Sequence, residues 1–130
     1  MDHDGKLDVL IANQWANSTF MHNTGAARDY LGLRLLLPAI GPDALPRAAV
    51  GASVTVTRSD GTRLTQQLFP TNGHTGVNAP ELLFGLGRPG TAGTLAVTVR
   101  WRDSAGQHTM STTLDTGWHT LVLGAGPATR

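Results

Sequence analysis

Apolar and polar positions alternate with a period of two along most of the chain. Val54 and Val56 alternate with Thr55 and Thr57, and Leu95, Val97, Val99 and Trp101 alternate with Ala96, Thr98 and Arg100. Successive side chains of a strand point to opposite faces, so each segment predicts a half-buried strand. Leu31, Leu33, Leu35 and Leu37 line one face of a longer strand, which Pro38 ends because proline has no N–H to give a ladder. Turn residues separate the strands. Ser59-Asp60-Gly61 closes a hairpin whose return carries Leu64 and Leu68. Asp103-Ser104-Ala105-Gly106 leads into a strand from Gln107 to about Leu114, and Thr116-Gly117 precedes a last strand, Trp118 to Leu123. Two short strands, Leu7 to Ala12 and Ser18 to His22, come first. No stretch keeps a helical period for three turns.

Eight or nine short strands joined by Gly/Pro turns predict an all-β chain. The expected architecture is an antiparallel β-sandwich of about seven strands over residues 28–124, preceded by a β-hairpin in residues 1–25. Long loops at 38–49 and 70–80 interrupt the sandwich, and residues 125–130 are expected to be a disordered tail.

Composition narrows the chemistry. At 130 residues the length fits one main domain, and 40% hydrophobic residues suffice for a core without a metal or disulfide. The absence of Cys excludes disulfide scaffolds, thiolate zinc sites and thiol chemistry. Ten Lys+Arg against nine Asp+Glu, with no basic cluster, argue against nucleic acid or an anionic membrane as partner. No apolar run, Leu35 to Leu37 among them, is long enough to span a bilayer. Acidic residues Asp2, Asp4 and Asp8 stand where a secretion leader would be basic and apolar.

Asp2-His3-Asp4-Gly5-Lys6-Leu7-Asp8 carries the most information. Calcium takes six to eight oxygen ligands, and alternating Asp side chains on a tight Gly turn can converge on one ion. Aligned on Gly5, the loop offers the carboxylates of Asp2, Asp4 and Asp8 and the carbonyl of Lys6, with a first ligand falling before Met1. Calcium is therefore expected to bind, and weakly. Ile11 stands where an EF-hand needs its bidentate Glu, and the flanks are strands, so an EF-hand is excluded.

Other motifs are weaker. Gly85-Leu86-Gly87-Arg88-Pro89-Gly90 fits the dinucleotide fingerprint in letters, but it leads into a strand and not a helix. His74, His108 and His119 have no metal-ligand spacing, and His22 reads as structural. Glu81 is the only Glu and lacks the second carboxylate that glycoside hydrolysis requires. Neither a nucleophile elbow nor a phosphate loop is present. Trp101 belongs to an apolar face and predicts core, whereas Trp15 lies in a turn and predicts an exposed contact. Arg34, Arg58, Arg63, Arg100 and Arg102 fall on polar strand faces and read as solvated charges.

The acidic loop, with Asp8-Val9-Leu10-Ile11-Ala12-Asn13 and Phe20-Met21-His22-Asn23-Thr24-Gly25, resembles the end of an FG-GAP or VCBS-type repeat. Such repeats build calcium-bearing blades of β-propellers, so the resemblance implies that the hairpin is the remainder of a blade. The rest resembles the ASPIC/UnbV domain found after such repeats in cartilage acidic protein and bacterial relatives. The matching residues are Leu31-Gly32-Leu33-Arg34-Leu35, Val50-Gly51-Ala52-Ser53-Val54-Thr55-Val56, Leu82-Leu83-Phe84-Gly85-Leu86-Gly87 and Val97-Thr98-Val99-Arg100-Trp101. His74 stands in the loop Asn72-Gly73-His74-Thr75-Gly76-Val77-Asn78 where the family usually has an aromatic. The resemblance implies an extracytoplasmic setting, upstream propeller repeats as partner, and no established catalytic residues.

Together these readings give a non-catalytic module of a larger calcium-binding propeller protein, structural or partner-binding, presenting loops 38–49 and 70–80. Trp15, Asn72, His74, Asn78 and Glu81 are the candidate contacts for a protein or glycan ligand. An alternative places Glu81, His74 or Asn78 in a propeller–sandwich cleft of a natural-product (enediyne-type) biosynthetic protein. A third is a carbohydrate-binding module, for which only Trp15 and Tyr30 are free.

Overall fold

The computed structural model describes residues 3–73 and 76–124, and contains strands and no helix among them. In chain order the strands are β1 (Val9–Ile11), β2 (Thr19–Met21), β3 (Asp29–Leu37), β4 (Arg47–Ala48), β5 (Ser53–Thr57) and β6 (Arg63–Gln67). They continue as β7 (Thr71–Asn72), β8 (Gly76–Val77), β9 (Leu82–Gly87), β10 (Leu95–Asp103), β11 (Gly106–Leu114) and β12 (Gly117–Val122). The excess over the expected eight or nine comes from two-residue pieces in the long loops: β4 follows the loop's prolines, and β7 with β8 forms a small hairpin.

Two sheets enclose one core. The first runs β11–β10–β5–β6, antiparallel throughout. In the second, β3 is central: β12 flanks it on one side, and β9 and then β4 pair with it elsewhere. The pair β12–β3 is parallel, from Gly117 opposite Leu31 to Val122 opposite Leu36. Alternation settles which residues meet. Leu31, Leu33 and Leu35 of β3, Leu82, Phe84 and Leu86 of β9, and Leu121 and Leu123 at the end face inward. They meet Val54 and Val56 of β5 and Leu95, Val97, Val99 and Trp101 of β10, all in one buried cluster. A fully buried Leu or Phe side chain contributes about 1.5–3 kcal/mol, so this cluster outweighs any single polar contact in the fold. The expected all-β sandwich is what forms.

The seam between the sheets is stitched by Gln66 of β6, whose Nε2 donates to the Leu83 carbonyl of β9 at 3.0 Å. Outward, the first sheet is polar in every row. Arg100 lies between Thr109 and Ser53, and Thr98 lies between Ser111 and Thr55. The next position across from Thr55 is Thr65, its Oγ1 2.9 Å from that of Thr55.

The hairpin β1–β2 pairs only with itself among the described residues. Leu7, Val9, Leu10, Ile11, Phe20 and Met21 are all exposed, so apolar side chains stand on both of its faces.

Candidate functional site

The outer face of the second sheet carries the site. Register places Trp118 beside Gly32 and Thr120 beside Arg34. Gly32 is required there: a Cβ would come within 2.4 Å of the Trp118 ring. The indole therefore lies flat over β3, and its Nε1 donates to the His3 carbonyl at 2.9 Å. Tyr30 Oη donates to the same carbonyl, also at 2.9 Å. Both lone pairs of one backbone oxygen are thus used, and His3 adopts φ 57 to present it. The His3 ring packs on Trp118 with centroids 4.9 Å apart. Gly5, at φ 82, lets the backbone pass over Tyr30, where a Cβ would lie 2.0 Å from the ring. Residues 3–6 are thereby clamped to the sandwich.

Beside this clamp lies a cleft of about 190 Å³ lined by His3, Arg34, Glu81, Trp118, His119 and Thr120. Arg34 grips Glu81 through Nε at 3.1 Å and through Nη2 as well, an ion pair in which Glu81 is largely shielded from solvent. Charge-assisted pairs of this kind fix both side chains. His119 Nε2 is 2.9 Å from the Asp115 carbonyl. Glu81 is thus a paired member of a cleft, and Arg34, read as a solvated charge, is its partner. Sequence reasoning missed the grouping because Arg34 and Glu81 are 47 positions apart, and His3 and Trp118 are 115 apart.

The acidic loop is held mainly by its own chain. Asp4 Oδ1 accepts from the Lys6 backbone N–H at 2.9 Å, and Oδ2 lies 2.7 Å from Lys6 Nζ. Asp8 Oδ1 accepts from the Asn23 N–H at 2.9 Å and lies 3.1 Å from His22 Nδ1. The Asn23 hydrogen bond, helped by His22, holds the Asp8 carboxyl below the usual carboxylate range. Asn23 Oδ1 in turn accepts from Gly25 N–H at 3.0 Å, so the exit of β2 folds back on the loop. Among the described residues no three His, Asp or Glu side chains are close enough together to hold a metal ion. Asp2 lies outside the described residues.

The other expected contacts are dispersed. Trp15 is 92% exposed at the hairpin tip. Asn78 is exposed, its backbone N–H bonded to the Pro70 carbonyl. His74 and the Asn72 side chain lie outside the described residues, as does the expected tail at 125–130. The cleft contains Glu81 but not Asn78. Tyr30, expected to be free for a sugar, is instead committed to His3 and Gly5.

Residues 42–130, more than half of the chain, match the family described as ASPIC and UnbV, and the chain belongs to that family. The match begins ahead of β4, so β3 lies upstream of it although it is the central strand of the second sheet. No similar protein was found among curated sequences.

Proposed function

We propose that this chain is the C-terminal β-sandwich module of a larger protein, and that it binds a neighbour and does not catalyse. The hairpin β1–β2 carries this reading. Exposed apolar side chains on both faces of an isolated hairpin are costly in water, and two strands alone are marginal, so more protein covers it in the parent. Upstream propeller repeats are the partner that its resemblance to a blade remnant suggests. Hydrogen exchange tests this. Amides of residues 9–21 should exchange rapidly in the isolated chain and slowly in the parent, while β5 and β10 stay protected in both. Slow exchange of the hairpin in the isolated monomer would overturn the reading.

We propose calcium for the Asp2–Asp8 loop in the parent. Asp4, Asp8 and the Lys6 carbonyl are hard oxygen donors of the kind calcium takes. Lys6 Nζ already neutralises Asp4, so an ion must displace that ammonium, and binding in this chain should be weak. Calorimetry should give a dissociation constant on the order of millimolar that tightens when upstream residues are restored. Heats unchanged by Asp4→Ala would remove calcium from the account.

One observation favours a second reading, in which the cleft belongs to an active site of the parent: it gathers Glu81, Arg34, His3 and His119 in one place. Activity of a natural-product biosynthetic parent, enediyne-type included, should then fall with Glu81→Gln, and an unchanged rate would leave the binding module alone. An extracytoplasmic location goes with the first reading, and fractionation of the producing cells checks it.

A further inference from the structure

The outer face of the β11–β10–β5–β6 sheet carries an arrangement that neither the cleft nor the hairpin uses. Arg100 and Arg102 are two positions apart on β10, exposed on the same outward face, which separates their α-carbons by about 6.5 Å. They flank a cavity of about 310 Å³, lined also by Gly51, Ser53, Trp101 and Gln107. Arg34 and Arg58 each have a carboxylate partner, but Arg100 and Arg102 have no side-chain bond to any described residue. Their own sheet face offers none, because every outward position of β5, β6, β10 and β11 in the paired register is Ser, Thr, Gln, Ala or Arg. The nearby Asp103 faces the other way, bonded to His108 at 2.8 Å and to the Ala105 N–H at 2.8 Å.

Two neighbouring guanidinium groups without a counter-charge repel each other, and an oxyanion between them would relieve that and take several N–H donors at once. Further along the same face, hydroxyl groups form flat rows, with Thr98 Oγ1 3.3 Å from Ser111 Oγ. No aromatic side chain stands outward in these rows to stack a nucleobase. An acidic peptide held by the Arg pair would use its carboxylates there and leave the hydroxyl rows without a partner, whereas a sugar chain has hydroxyl groups for both. We propose that this face binds an acidic polysaccharide. A carboxylate or sulfate of the chain sits in the Arg100–Arg102 groove, and sugar hydroxyls exchange hydrogen bonds along the Thr98 row. The proposal is independent of what covers the β1–β2 hairpin.

Calorimetry of the full chain at low salt tests it, with four oligosaccharide or nucleic-acid probes: heparin-derived (sulfated), polygalacturonate (carboxylated), dextran (neutral) and duplex DNA. One or both acidic glycans should bind, dextran should not, and DNA should bind more weakly than the better glycan. Arg100→Ser with Arg102→Ser should weaken glycan binding about tenfold or more, since each charged hydrogen bond is worth a large factor. Thr98→Val, which keeps the charge, should weaken it by a few-fold, about what one neutral hydrogen bond contributes. Arg28→Ser with Arg88→Ser removes equal charge away from this face and should leave binding within about twofold. The arginines are exposed and Thr98 is half-buried, and unchanged thermal unfolding will show that the variants fold. Absence of glycan binding, equal or tighter binding of DNA, or an equal loss in the Arg28/Arg88 variant would overturn the proposal. Sulfate preference against carboxylate preference is read from the first two probes.

Discussion

On the outer face of the β12–β3–β9 sheet, Trp118 lies over Gly32 and pins the His3 carbonyl. On the outer face of the β11–β10–β5–β6 sheet, Arg100 and Arg102 bond to no other described side chain, and Thr98 meets only a neighbouring hydroxyl. Both sheets give apolar side chains to the inner cluster, so burial does not distinguish them. Their outward residues do. A glycine notch beneath a tryptophan makes sense only with another piece of chain on top. Ordered rows of hydroxyl and guanidinium groups suit water, ions or a hydrated ligand. Outer faces therefore say what a sandwich meets, while inner faces say only that it folds.

That comparison can be tested by substitutions of decreasing consequence. Phe84→Ala, at the buried centre shared by both sheets, should cost about 3–5 kcal/mol in urea unfolding. A loss below about 1 kcal/mol would mean that the sheets do not share a core. Gly32→Val should cost about 1–3 kcal/mol by driving the Trp118 ring off β3. Its counterpart on the bare face, Thr98→Val, should stay within about 0.5 kcal/mol of the parent chain. Equal costs at those two positions would erase the distinction between the faces.

Trp118→Phe keeps the ring contact but removes the Nε1–H donor. It should cost about 1 kcal/mol and speed exchange of the amides of residues 3–6 without changing β5. Acid acts more diffusely. The Asn23 N–H holds the Asp8 carboxyl below its usual range, the Thr62 N–H does so for Asp60, and His108 does so for Asp103. Carboxyl groups with lowered folded values bind protons more readily when the chain is unfolded, so stability rises with pH through that interval. Unfolding curves should be flat above about pH 5 and lose stability as pH falls below about 4. Asp103→Asn should make the acid limb shallower, and a limb of unchanged steepness would remove that carboxyl from the account.

The strands were legible because period-two alternation is local. Val54 to Val56 and Leu95 to Trp101 fixed their inward faces without reference to anything distant. Turns were legible for the same reason: the Asp60 carboxylate accepts from the Thr62 N–H two residues away, and Asp103 caps the Ala105 N–H in the same manner. The cleft was not legible. Trp118 shares the outward face of its strand with Thr120, and nothing within several residues says that its N–H will meet a carbonyl at His3. Gly32, read only as part of a family block, is informative once its parallel partner is known, and a parallel pairing leaves no hairpin turn to announce it. Lys6 was read for its carbonyl alone, and spacing gave no sign that its ammonium would also pair with Asp4.

The position of β12 has a consequence for how the molecule is made. Leu31 has its parallel neighbour at Gly117, so the central strand of the second sheet waits for the last of the described strands. During synthesis β5 can pair with β6 across a short turn, but the clamp on residues 3–6 has no Trp118 to close it until Trp118 itself has left the ribosome. Pairings of such long sequence separation are slow to form. Between the emergence of β3 and that of β12, the nascent chain therefore carries an unsatisfied strand edge on β3 and an unclamped segment at residues 3–6, and β12 is the strand that closes the second sheet.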